Sequence, residues 1–145
     1  MTRIGIISFC VFALMAGAAK AEDLIEPGQW KVTSTTTVNG AVQPAPAKMR
    51  CITAEQAADV VKTFGPVSGT VNSTCETPQS EVNGRVLKWR LQCRGTLDLD
   101  VEGQFNFDGL RHYSATVTSK GRMAGQLISD VRSELEGERV GECTQ

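Results

Sequence analysis

Between Thr74 and Gly103 the chain reads TCETPQSEVNGRVLKWRLQCRGTLDLDVEG, with Cys75 and Cys93 on either side of Asn83-Gly84. Asn-Gly favours a tight hairpin because both residues tolerate positive φ. After it, Leu87, Trp89, Leu91 and Cys93 share one parity, while Lys88, Arg90 and Gln92 share the other. That alternation is the period of a strand with one dry and one wet face. A three-residue loop, Asn83 to Arg85, sets Cys75 directly opposite Cys93; a two-residue Asn83-Gly84 turn moves the pair one residue off. Opposed strand residues bring Cα atoms into the roughly 4.4–6.8 Å range of a disulfide. A disulfide-closed hairpin is therefore the expected centre of the fold.

Disulfides presuppose an oxidising compartment, and the start of the chain bears on that. Met1-Thr2-Arg3 is followed by an apolar run from Ile4 to about Ala16 and then Ala19-Lys20-Ala21. This is the layout of a cleaved secretory leader at residues 1–21, with a mature start at Glu22. The apolar run is short for a span of about 20 residues, so no stable membrane anchor is expected after cleavage. Cys10 leaves with the leader, and Cys51, Cys75, Cys93 and Cys143 remain. An even count in an exported chain reads as two bonds. With Cys75 paired to Cys93 by register, Cys51 and Cys143 pair by elimination, fastening a tail that would otherwise fray.

Residues 22–145 suffice for a single disulfide-stabilised β domain with a modest core. Removal of Arg3 and Lys20 lowers Lys plus Arg from 15 to 13 against 16 acidic residues, a formal charge of −3. That balance gives no electrostatic pull toward nucleic acid or an anionic membrane.

Turn signals recur at Asn39-Gly40, Asn83-Gly84, Asp108-Gly109 and Lys120-Gly121-Arg122. They separate segments of alternating apolar residues. Trp30, Val32 and Val38 form one such row; Leu97, Leu99, Val101, Phe105 and Phe107 form a second, with Gly103 among them. Tyr113, Ala115 and Val117 form a third, and Met123 to Glu136 is the last long strand candidate. Ala41 to Arg50 contains Pro44 and Pro46, which restricts it to an edge strand or a loop. One helix is expected, from Thr53 to Phe64, with Thr53 and Gln56 as a capping box and Gly65-Pro66 as its stop. The fold expected is mainly β, an antiparallel meander forming a curved sheet or partly closed barrel, with that one short helix across it.

The chain resembles the family called domain of unknown function 3617. The resemblance rests on EPGQWKVTSTTTV at Glu26 to Val38, RCITAEQAAD at Arg50 to Asp59, VNGRVLKWRLQC at Val82 to Cys93 and GERVGEC at Gly137 to Cys143. It implies a small exported protein of the bacterial envelope, without an assigned activity. Only Ala41 to Met49 stands where many members carry a longer loop rich in Met and Pro.

Few residues offer chemistry. His112 is the single histidine, and it falls on the polar parity. Asp98, Asp100 and Glu102 form an acidic row that reads as a solvated strand face or as cross-strand ion pairs. Arg85, Lys88, Arg90 and Arg94 form a basic cluster whose aromatic neighbour, Trp89, lies on the other parity, so no stacking platform for nucleic acid is expected. The four cysteines lack paired zinc-ligand spacing, and no phosphate loop, dinucleotide fingerprint or nucleophile elbow is present. No catalytic residue, cofactor or metal is therefore assigned. Trp30, Trp89, Leu99, Phe105 and Phe107 are the candidates for lining an apolar pocket, with core packing as their alternative role. The expected function is that of a periplasmic, non-enzymatic protein binding a small apolar ligand or an envelope protein. The alternative is an envelope hydrolase whose site is built from unremarkable residues.

Overall fold

The computed structural model describes residues 22–67 and 73–144; the expected leader and the segment at 68–72 lie outside them. Eight strands form in chain order: β1 (Gly28–Val38), β2 (Ala41–Ile52), β3 (Ser73–Cys75), β4 (Gln79–Asn83), β5 (Val86–Gly95), β6 (Asp98–Gly109), β7 (His112–Met123) and β8 (Gln126–Gly141). They make one sheet in the order β2-β1-β8-β7-β6-β5-β3, with β4 also paired to β5. Every pairing is antiparallel. The stretch β5 to β8 is a meander, and the β1–β2 hairpin extends it by docking β1 on β8. Because β2 and β3 are free edges, the sheet is open rather than closed into a barrel. The β2 edge carries Pro44 and Pro46, which blunt it against further pairing.

The single expected helix is two. Helices α1 (Ala54–Ala58) and α2 (Val60–Phe64) meet at Asp59, whose φ of −122° and ψ of 77° break the helical run. The cause is a competing cap: the Asp59 carboxylate accepts from the Lys62 N–H at 3.0 Å and starts a second helix. The capping box forms as expected, with Gln56 N–H donating to Thr53 Oγ1 and Thr53 N–H donating to Gln56 Oε1.

Three expected reversals shift. At the central hairpin Asn83 pairs with Val86, so the loop is Gly84-Arg85 and only Gly84 is at positive φ. The β4–β5 register is thus one residue off the frame that opposes the cysteines. Glu76 to Pro78 absorbs the offset between β4 and β3, and Cys75 still faces Cys93. At the next turn Gly109 pairs with His112, leaving Leu110-Arg111 as the loop. Lys120-Gly121-Arg122 is not a reversal at all. β7 continues through it and turns at Ala124-Gly125, with φ of 48° and 80°. Gly121 is instead a strand residue lying against Leu97, Leu99 and Ser129. The last strand likewise runs beyond Glu136 to Gly141, because Gly137 leaves room for the Tyr113 ring directly across the ladder.

The core occupies one end of the dry face. Trp30, Leu87, Trp89, Phe105, Phe107, Tyr113 and Ala115 rise from the sheet. Ile52, the last residue of β2, joins them, and Leu24, Ile25, Ala57, Val60 and Phe64 cover them. Phe64 is the plug, with ring centroids 5.1–5.6 Å from Tyr113, Phe105 and Phe107. Trp89 lies over Gly103, its cross-strand partner, and donates its indole N–H to the Phe64 carbonyl at 2.9 Å. Two arginines lash the first described residues over the same end. Arg85 donates to the carbonyls of Leu24 and Phe107. Arg139 donates to the Pro27 carbonyl and pairs with Glu26 and Glu142.

Candidate functional site: a trough across the polar face

The residues expected to line an apolar pocket divide. Trp30, Trp89, Phe105 and Phe107 lie in the core at 0%, 7%, 6% and 1% exposure, against one another and Phe64. Leu99 stands half-buried further along the same face, opposite Cys93 and Gly121.

The acidic row is consumed by neighbours. Asp100 accepts from Gln92 and Arg94, each at 2.9 Å, and from Arg122 at 3.1 Å. The Gln92 and Arg94 hydrogen bonds hold its carboxyl below the ordinary value. Asp98 accepts from the Gly95 N–H at 3.1 Å, and Glu102 pairs with Arg90 at 3.5 Å. No cluster of three or more His, Cys, Asp or Glu able to hold a metal occurs among the described residues. His112 Nδ1 lies 3.0 Å from Asp108 Oδ2, and both side chains are exposed. No hydroxyl or thiol is bonded to its other ring nitrogen among the described residues.

The basic cluster is dispersed by the fold. Arg85 is spent on backbone carbonyls, and Arg94 is held by Asp100. Lys88 and Arg90 stay on the polar face, two residues apart on β5, and there the register builds a groove. One wall is the row Glu81, Lys88, Gln104 and Thr116; the other is the row Gln79, Arg90, Glu102 and Thr118. Between them lies the row Ser80, Trp89 and Gly103, of opposite parity, which leaves backbone as the floor. Side chains two apart on a strand are separated by roughly 7 Å, which sets the root-to-root spacing of the two walls. Its volume is about 610 Å³, it is open to solvent, and these three rows line it. A shallower depression at Asn83 and Val86 shares Glu81, Lys88 and Gln104 with it. A third depression, at Glu22, Asp23, Arg85, Gly109 and Leu110, is separate. None of the three is lined by Trp30, Leu99, Phe105 or Phe107.

Two carboxylates, two cations, two amides and two hydroxyls stand along the trough, so it offers donors and acceptors of both signs. Lys88, unlike Arg90, has no side-chain partner among the described residues. Sequence reasoning found Lys88, Arg90 and Glu102 but not the trough. Gln79 and Glu81 join it through the β4 register, and Thr116 and Thr118 through β7.

Four cysteines complete the frame. Cys75 is bonded to Cys93 and Cys51 to Cys143, with Cα separations of 3.9 and 5.4 Å. An open antiparallel sheet, crosslinked twice, capped by two short helices on one face and grooved on the other defines the class: a small disulfide-bonded β protein. The chain belongs to the family described as "Protein of unknown function (DUF3617)", which matches residues 25–143. No curated protein and no solved structure was found to match it.

Proposed function

We propose that the protein is exported to the periplasm and acts there without catalysing a reaction, by holding a segment of an envelope protein in the cross-strand trough. The observation that carries this reading is the trough itself. It is open to solvent, runs across four strands, and is walled by two rows of polar side chains. The large aromatic residues, by contrast, are committed to the core. Export is supported by the two disulfides, which persist in oxidising compartments, and by the leader-like sequence of residues 1–21. A partner of mixed charge suits the walls, since Glu81 and Glu102 alternate with Lys88 and Arg90 across the strands.

The test is site-specific photocrosslinking in the native host. A photoreactive residue at Gln104, on the trough wall, should yield a discrete protein adduct. The same residue at Lys31, elsewhere on the polar face, should not. Equal adducts from both positions, or none from Gln104, would remove the trough as the working surface.

A further inference from the structure

The β7–β8 hairpin ends in a tip that is apolar on both of its faces. Met123, Leu127 and Ile128 are 47%, 52% and 49% exposed, large values for three bulky side chains within six residues. The tip outreaches its neighbour on one side. β1 pairs with β8 no further than Val131, and beyond it Asn39 and Asp130 exchange two bonds of 2.8 Å. Gln126 to Ser129 thus extend past the end of β1.

A bulge decides where these side chains point. Gly121 pairs with Ser129 and Arg122 with Leu127, which leaves Ile128 as the extra residue. Leu127 shares a face with Arg122, whose guanidinium bonds Asp100 on the polar side of the sheet. Met123 has the parity of Gly121, which lies against Leu97 and Leu99 on the dry side. The two-residue turn between them holds Ala124 at a φ of 48°, a region that non-glycine residues rarely occupy. Val42, 65% exposed, stands on the adjoining β1–β2 hairpin.

A flat protein surface covers one face of a ribbon, whereas a medium that surrounds the ribbon covers both. Apolar side chains on both faces of a projecting tip therefore fit a fluid apolar layer better than a docked subunit. We propose that this tip inserts into the surface of a lipid bilayer and holds the protein reversibly against the membrane, with Met123, Leu127 and Ile128 as the inserted residues. Lys120 is exposed four residues before Ala124 and has no side-chain partner among the described residues, which suits it to the phosphate level of the headgroups. Three side chains give a weak, reversible attachment, in contrast to a spanning segment. The inference is independent of the trough, which lies on strands β4 to β7 and meets β7 at its middle, at Thr116 and Thr118.

The experiment is co-sedimentation of the disulfide-bonded protein with vesicles of phosphatidylethanolamine and phosphatidylglycerol. The wild type should partition onto the vesicles. The Leu127→Asp, Ile128→Asp double variant should partition at least about tenfold less, with an unchanged circular dichroism spectrum. A Leu127→Trp variant adds a second reading, because Trp30 and Trp89 are buried and give an unquenched background. Brominated lipid should quench the introduced indole. No partitioning by the wild type, equal partitioning by the Asp variant, or an introduced indole that stays unquenched would each overturn the inference. So would light scattering that shows a wild-type dimer and a monomeric Asp variant, since the tip would then belong to a second copy.

Discussion

Gly103 and Ala124 show how single backbone positions carry this fold. At Gly103 a Cβ would fall inside the Trp89 indole, whose own N–H is tied to α2. The ring cannot retreat without losing that bond and the Phe64 contact. Gly103→Ala should therefore destabilise the protein by about 1–3 kcal/mol, read as a lower urea midpoint. Ala124 is the converse case, a side chain where glycine would be at ease. Ala124→Gly should raise stability by up to about 1 kcal/mol in the same assay. At Asp100 the effect is one of pH. Its pKa is lowered first by the Gln92 hydrogen bond and then by that of Arg94, from an ordinary value of 3.8. A carboxyl with a depressed folded-state pKa adds stability that is present above the unfolded value and is lost as pH falls through the folded one. Wild type should thus exceed Asp100→Asn in urea midpoint near neutrality, and the gap should narrow at about pH 3. A gap independent of pH would show that the carboxylate's charge is not what the three donors hold.

Among the elements, the Cys51–Cys143 bond joins the end of β2, just before α1, to the tail after β8. Its loop spans a sequence separation of 92, so Cys143→Ser should cost up to about 4–5 kcal/mol in the chain-entropy model. Peptide mapping should still find Cys75 bonded to Cys93, because that pair is held by the ladder of β3 and β5. Loss of both bonds in the variant would show that the two ends of the molecule fold as one unit. The strand parities were legible in the sequence because Leu87 to Cys93 and Leu97 to Phe107 alternate without interruption. Turn positions were less legible. A glycine reads alike whether it supplies positive φ, as at Gly84 and Gly125, or vacates space for a ring, as at Gly103 and Gly137. The helix break was hidden for a similar reason: Asp59 reads as a polar helical residue until its carboxylate is seen capping Lys62. The trough was out of reach because it depends on which residues stand side by side across four strands. The β4 register is one residue away from the frame that opposes the cysteines.

For the whole molecule, the two faces of the sheet divide the labour. At one end of the dry face, five covering apolar residues and the sheet's own apolar side chains make the core. Among the described residues no element covers the polar face, and at β4 to β7 two rows of its side chains flank bare backbone to form the groove. The proposed function places the working surface in that groove, and its occupancy is directly measurable. Carboxyl groups can be labelled with a water-soluble carbodiimide and read by mass spectrometry, once on the purified protein and once in the intact envelope. Glu81 and Glu102 should be protected in the envelope, while Glu55 on α1 and Glu136 on β8 should label equally in both samples. Equal labelling of Glu81 and Glu102 in both samples would contradict the account, because the trough would then stand empty where the protein works.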